Sequence, residues 1–172
     1  MLKFFLSVLL VVSSVYSADR LIGQKAKQFE VDSWIQTYKK DLDIDDFKGK
    51  VLYLYGFQSW CPGCHSHGFP TLSRLSKIYK DDKDVAFVAI QTTFEGFSSN
   101  DEQAAREIVK KYKLTMPVGH SGVNGLRSKF MSNYQTGGTP WTIIVDKQGI
   151  IRFSNFHLSV GEAVSLINRL KK

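Results

Sequence analysis

Both cysteines of the chain lie in one short segment, Cys61-Pro62-Gly63-Cys64-His65. Two cysteines separated by two residues can cycle between a dithiol and a disulfide. The same spacing followed directly by a histidine is also the local signature for covalent attachment of haem. The segment therefore allows two different chemistries, and the surrounding elements must decide between them.

Three alternatives to dithiol chemistry would use some of the same residues. A haem site would also need a distal ligand such as Met116 or Met131, but small cytochromes are mainly helical and this chain is rich in apolar strand patterns. A copper or zinc carrier would combine the cysteines with a histidine: His65 is poorly placed to join both sulfurs, which leaves His67, His120 or His157. A peroxidase would need Thr or Ser three residues before Cys61, where this chain has Gln58.

The elements around the cysteines are predicted from hydrophobic pattern. A continuous apolar run from Val51 to Phe57 is typical of a strand buried on both faces of a mostly parallel sheet. Pro62 suits the first position of a helix, because its missing N–H is not needed there. Apolar residues at helical spacing extend this helix to about Lys80, and a bend is expected at Pro70. The cysteines are thus expected at a strand-to-helix turn.

The remaining pattern alternates strands and helices. We expect an edge strand within Gln28 to Ile35, a buried strand at Val85 to Ile90, and a helix ending near Tyr112 that begins at a Ser99–Glu102 capping box. The prediction continues with a short strand at Met116 to Val118 and a short helix at Val123 to Met131. Two antiparallel strands follow, at Trp141 to Val145 and Ile150 to Phe153. A terminal helix capped by Ser159 and Glu162 completes it.

The N-terminus has the order of a secretory signal: Lys3, then an apolar run from Phe4 to Val12, then small residues. We expect cleavage after Ser17, which leaves one domain over 18–172. The apolar run is shorter than a spanning helix needs, so we expect no stable membrane insertion after cleavage. The alternative is a retained N-terminal anchor.

Composition narrows the classes of protein to which the chain can belong. The chain has 172 residues, of which 43% are hydrophobic, and a formal net charge of +7, which falls to +6 without Lys3. This length suits one domain with a sizeable core. The basic residues are scattered and form no aromatic-interleaved stripe, so we expect no nucleic-acid partner. A single cysteine pair so close in sequence cannot brace a fold, which favours a chemical role for it.

Two segments resemble the TlpA/ResA-like (redoxin) branch of the thioredoxin fold. They are DDFKGKVLYLYGFQSWCPGC (Asp45 to Cys64) and GGTPWTIIVDKQGIIRF (Gly137 to Phe153), and the resemblance extends over roughly residues 25–172. It implies an α/β, thioredoxin-like three-layer sandwich with a mixed central sheet and flanking helices. It also implies that the Thr139-Pro140 bond is cis and faces Cys61.

The placement of the cysteines predicts their roles. Cys61 precedes a helix, whose unpaired N–H groups and positive end favour the thiolate, so it is expected to be the attacking sulfur. Cys64, one turn later, is expected to be the shielded, resolving thiol. Pro62 and Gly63 add no charge between them, and Trp60 is expected to pack beside the pair.

The chain also departs from the family pattern. That pattern commonly has a glutamate three residues after the second cysteine and a proline two residues further on. Here His67 and Phe69 stand at those positions, and Pro70 is displaced by one. His67 or water would then take the acid/base role, and His65 can stabilise the Cys61 thiolate or relay a proton.

The function that the resemblance implies is that of a periplasmic or otherwise exported thiol:disulfide oxidoreductase. It would need no cofactor besides its own Cys61–Cys64 disulfide. Its partners would be client proteins with disulfides or thiols and a membrane thiol electron donor. The loop with Phe94 and Phe97 is a candidate rim for binding such partners or, alternatively, packs back on the core.

Overall fold

The computed structural model describes residues 20–123 and 125–172. The expected signal segment, residues 1–17, lies outside the described residues. Within the described ranges the strands are β1 (Ser33–Gln36), β2 (Val51–Phe57), β3 (Val85–Thr92), β4 (Val118–Ser121), β5 (Trp141–Val145) and β6 (Ile151–Asn155). The α-helices are α1 (Phe69–Ile78), α2 (Glu102–Tyr112), α3 (Lys129–Tyr134) and α4 (Val160–Leu170). No helix within the described ranges combines the length and apolar character needed to cross a membrane.

The strands form one mixed sheet in the order β1-β4-β3-β2-β5-β6. β2 pairs in parallel with β3, and β3 with β4, whereas β5 runs antiparallel to both β2 and β6. All seven residues of β2 are buried, as its unbroken apolar run predicts. The cysteines follow the carboxyl end of this central strand, where ligand and active sites of open α/β sheets usually lie.

Successive residues of β2 point to opposite faces of the sheet and so enter two separate cores. Tyr53 and Tyr55 pack with residues of α1, α2 and α4. Leu52 and Leu54 pack with α3 and with the segment that precedes β1. Helices therefore cover both faces, which confirms the predicted three-layer α/β sandwich.

Several boundaries differ from the sequence-based expectations. The edge strand β1 has only four residues, and the fourth strand and third helix begin later than expected, at Val118 and Lys129. The predicted Ser99–Glu102 capping box is wrong. Asp101 caps α2, because its carboxylate accepts a hydrogen bond from the backbone N–H of Ala104 at 2.8 Å. The Ser159–Glu162 box of α4 is formed as predicted.

The helix after the cysteines contains one irregular turn. The chain is helical from Pro62, as predicted, but Cys64–Gly68 is a π-helical turn in which the Phe69 N–H bonds to the Cys64 carbonyl. This i to i−5 bond accommodates one more residue than an α-helical turn does. Pro70 stands in the first turn of α1, directly after this irregularity.

Candidate active site

Cys61 lies in the turn between β2 and the helix, and its side chain is almost fully buried. Its sulfur accepts a hydrogen bond from the backbone N–H of Cys64 at 3.2 Å. Its thiol also lies 3.5 Å from the carbonyl oxygen of Thr139. An N–H directed at a sulfur stabilises negative charge on it, so this geometry suits a nucleophilic thiolate.

The Thr139–Pro140 peptide bond is cis, as the resemblance implies. The Pro140 ring lies against the segment between the cysteines: a Cβ placed on Gly63 would be 3.1 Å from its Cδ atom. The Thr139 hydroxyl donates a hydrogen bond to the Gln58 side-chain oxygen at 3.2 Å. The two motifs that carry the resemblance, about 80 residues apart in sequence, are thus joined directly at the site.

Two partly exposed aromatic side chains flank this region. Trp60 is 47% exposed, and its indole nitrogen would lie 3.1 Å from a Cβ on Gly96. Phe156 is 43% exposed and packs edge-on against Trp141, with a ring centroid distance of 4.5 Å. A Cβ on Gly137 or Gly138 would approach the Phe156 ring to 3.2 Å, so this ring lies over the residues just before the cis proline.

The other predicted parts of the rim are placed differently. Phe94 and Phe97 are each partly buried, so neither stands free in solvent. Pro62 is exposed at the first helical position, as the sequence predicts. Trp60 and Phe156 are therefore more exposed than Phe94 and Phe97, for which the sequence left open both a binding rim and packing on the core.

Cys64 is fully buried beneath Cys61. Burial, together with the adjacent Cys61 sulfur, raises the pKa of the Cys64 thiol to about 12. The thiolate is disfavoured because a buried anion loses its hydration. Cys64 is therefore a thiol at neutral pH and is shielded from external disulfides, as expected of a resolving cysteine.

The ring nitrogens of His65 bond to groups other than the cysteine sulfurs. Its Nε2 donates to the carbonyl oxygen of Ser59 at 2.6 Å, and its Nδ1 accepts from the hydroxyl of Tyr112 at 2.5 Å. With both ring nitrogens occupied, this histidine has none left for a thiolate. Its contacts instead connect the first helical turn to the turn before Cys61 and to α2.

His67 likewise contacts groups other than the cysteines. Its side chain is exposed, its Nδ1 pairs with the Ser66 hydroxyl at 2.7 Å, and its ring meets that of His157 with a centroid distance of 5.8 Å. Since Cys64 is buried, an exposed imidazole on the helix surface has no direct route to its sulfur. The geometry gives no support to His67 as the acid/base group.

A buried polar network, which sequence reasoning missed, supports the turn before Cys61. The Asn100 side-chain oxygen accepts from the backbone N–H of Ser59 at 2.7 Å. The Gln91 side-chain oxygen accepts from the Ser59 hydroxyl, and its amide nitrogen lies 3.0 Å from Nδ1 of His120. Burial lowers the pKa of His120 and so favours its neutral form. The sequence signal for this network was Gln91, a polar residue that directly follows the apolar run of β3.

The histidines that a metal carrier would require are dispersed. His120 is buried in the Gln91 network, and His157 pairs with His67 on the surface. Across residues 20–123 and 125–172, no group of three or more His, Cys, Asp or Glu side chains is close enough to hold a metal ion.

The fold and the paired cysteines define a thioredoxin-like protein. The Redoxin family model matches residues 21–164, and the chain belongs to this family. Two solved structures agree: a thioredoxin-like superfamily protein, 28% identical, covers 86% of this chain and 96% of its own with a TM-score of 0.76. A thiol-disulfide isomerase from Corynebacterium glutamicum, 26% identical, covers 86% and 97% with a TM-score of 0.74.

Curated relatives are also similar over most of the chain. The thiol-disulfide oxidoreductase ResA of Bacillus cereus is 28% identical over 128 residues, or 74% of this chain. The thiol:disulfide interchange protein DsbE of Pseudomonas aeruginosa is 29% identical over 140 residues, or 77% of this chain. The matches span 65% and 64% of the relatives' own lengths, respectively.

Proposed function

We propose that this protein is an exported thiol:disulfide oxidoreductase that reduces disulfides in client proteins through Cys61 and Cys64. The observation that carries the proposal is the position of the Cys61 sulfur, which accepts the Cys64 N–H at 3.2 Å and lies beside the cis Thr139-Pro140 bond. The names of the ResA and DsbE relatives support the same reaction class.

The reaction follows from the two sulfur environments. The Cys61 thiolate attacks one sulfur of a client disulfide, which forms a mixed disulfide and releases the other client sulfur as a thiolate. Cys64 then loses its proton and attacks the Cys61 sulfur, which forms the Cys61–Cys64 disulfide and releases the second client thiolate. The client disulfide gains two electrons and the cysteine pair loses two.

The oxidised pair must then be reduced by another thiol. We propose that a membrane thiol donor supplies these electrons, since the N-terminal sequence pattern favours export. The partly exposed Trp60 and Phe156 rings provide an apolar surface on either side of the Cys61 turn, and we propose that extended client segments bind there.

The first test is insulin disulfide reduction by the mature protein. We expect Cys61→Ser to abolish turnover and Cys64→Ser to accumulate mixed disulfides, which can be counted by intact mass. Turnover by the Cys61→Ser variant would overturn the proposal. Haem or metal mass retained on the purified protein, with thiols that do not titrate, would favour a carrier function instead.

The direction of electron flow is tested by the reduction potential. The purified protein is equilibrated with glutathione buffers, and free thiols are counted by mass after alkylation. A potential of about −270 mV supports a reductant, whereas one of about −120 mV identifies an oxidant of folding proteins.

A further inference from the structure

The hydroxyl of Tyr55 is buried without a hydrogen-bond partner of normal geometry among the described residues. Tyr55 lies on β2, is 1% exposed, and packs against the rings of Phe57 and Phe69. A buried polar group without a partner costs free energy and is uncommon in folded proteins. Tyr55 belongs to the same core cluster as Cys61 and Cys64, so its unpaired hydroxyl is a candidate for a role in their chemistry.

The π-helical turn leaves space for this hydroxyl. A Cβ atom on Gly68 would lie 1.8 Å from the Tyr55 oxygen and 2.6 Å from its Cζ atom, so only glycine fits. Gly68 is four residues after Cys64, within the π-turn in which Phe69 N–H bonds to the Cys64 carbonyl. The irregular turn and its glycine therefore bring the hydroxyl against the helix segment that carries Cys64.

The hydroxyl is close enough to Cys64 for each group to influence the other's pKa, although no hydrogen bond joins them in this structure. Burial raises the pKa of Cys64, and the nearby Tyr55 hydroxyl slightly opposes this effect. Burial and the neighbouring Cys64 charge raise the pKa of Tyr55, so the phenol keeps its proton. No carboxylate of the described residues is among the groups that shift the pKa of Cys64. Tyr55 is thus a hydrogen-bond donor rather than a base.

We propose that Tyr55 is a positioning residue that donates a hydrogen bond to the Cys64 sulfur when Cys64 becomes a thiolate and attacks the mixed disulfide. This proposal rests on the dithiol function proposed above. In this proposal a tyrosine on β2 stabilises the buried Cys64 thiolate, which the exposed His67 cannot do.

The proposed step is balanced without any added reagent. Cys64 gives its proton to the leaving client thiolate or to water, and the Cys64 sulfur forms a bond with Cys61 as the client sulfur leaves. The phenol proton stays on Tyr55 throughout and only changes its orientation toward the sulfur. The hydrogen bond therefore forms as charge develops on Cys64, and a bond made only in the transition state is the condition for accelerating the step.

The test uses the reduced mature protein and dithiobis(nitrobenzoate), an aromatic disulfide whose two thiolate products are coloured. The first equivalent is released when Cys61 attacks, and the second when Cys64 resolves the mixed disulfide. We expect Tyr55→Phe to slow the second release about tenfold, because hydrogen bonds to charged groups are worth more than the 1.4 kcal/mol that a tenfold change represents. The first release should stay within twofold.

Tyr53→Phe is the matched control, because Tyr53 is a buried tyrosine two residues away on the same face of β2 and bonds to Thr142 instead. It should leave both releases unchanged but lower the melting temperature, whereas Tyr55→Phe, which removes an unpaired hydroxyl, should not lower it. A second release within twofold of wild type in Tyr55→Phe overturns this inference. A wild-type protein that releases only one equivalent overturns the dithiol function itself.

Discussion

The Tyr112 hydroxyl donates a hydrogen bond to Nδ1 of His65 at 2.5 Å, which joins the end of α2 to the first helical turn after Cys61. The Tyr112 ring also stacks on Phe69, with a centroid distance of 4.3 Å. Burial raises the pKa of Tyr112, so the phenol remains the donor. The histidine of the CPGCH segment is thus held by a tyrosine more than 40 residues away and serves the structure of the site.

Removal of this bond should lower stability more than activity. We expect Tyr112→Phe to reduce the free energy of unfolding by about 1 kcal/mol, the usual net value of one hydrogen bond, and the melting temperature by about 2–4 °C. Urea unfolding and a thermal scan measure these changes. Tyr38→Phe is the control, since Tyr38 is 70% exposed, and should be neutral. Loss of insulin reduction in Tyr112→Phe at unchanged stability would instead give His65 a chemical role.

The Asn100 side chain should govern the conformation of the turn before Cys61. Asn100→Ala removes the acceptor of the Ser59 N–H and leaves that part-buried group unpaired, which costs about 1 kcal/mol. We therefore expect lower stability. We also expect slower alkylation of Cys61, because a displaced turn would weaken the bond from the Cys64 N–H that favours the Cys61 thiolate. Asn133→Ala, which removes an exposed hydrogen bond to the Gln28 carbonyl, is the control. Equal alkylation rates in both variants would contradict this positioning role.

The sequence predicted those features of the fold that depend on local pattern. The apolar run of β2 and the proline at the helix start were recognisable because burial and missing N–H groups leave direct traces in composition. The cysteine pair was found by spacing alone. The resemblance supplied the cis proline, which no local rule favours, because trans is the more common state of an X–Pro bond.

Pairings between distant segments were not predictable in this way. Nothing in the sequence connects Ser59 to Asn100 or His65 to Tyr112, because each bond joins residues more than 40 positions apart. The sequence showed that Pro70 is displaced by one position from the family pattern, but not what the displacement does to the helix. Only the structure shows that a π-turn absorbs it and places Gly68 against Tyr55.

Two glycine substitutions should have opposite effects on stability. Gly68→Ala would place a Cβ 1.8 Å from the Tyr55 oxygen, so the strand or the π-turn must shift. We expect a loss of about 1–3 kcal/mol, as in other overpacked cores. Gly161 in α4 has open space around its Cα, and Gly161→Ala should increase stability by about 0.5–1 kcal/mol. Urea unfolding of both variants measures the difference, and equal effects would contradict the close approach.

The raised pKa of Cys64 should make the reduced protein less stable in alkali. The thiol titrates near 9 in the unfolded chain and at about 12 in the fold. Below pH 9 both states hold the proton and the full contribution to stability is present. Between about pH 9 and 12 only the unfolded state releases it, which favours unfolding.

The tyrosines also titrate in this range in the unfolded chain, so the effect of Cys64 is isolated by comparison with Cys64→Ala, which keeps every tyrosine. From pH 8 to pH 10 we expect reduced wild-type protein to lose about 1 kcal/mol of unfolding free energy more than Cys64→Ala does. Urea unfolding under a reductant that remains active at both pH values gives the two slopes. Parallel slopes would mean that the Cys64 thiol is as accessible to water in the folded protein as in the unfolded chain, which would contradict its role as a shielded resolving cysteine.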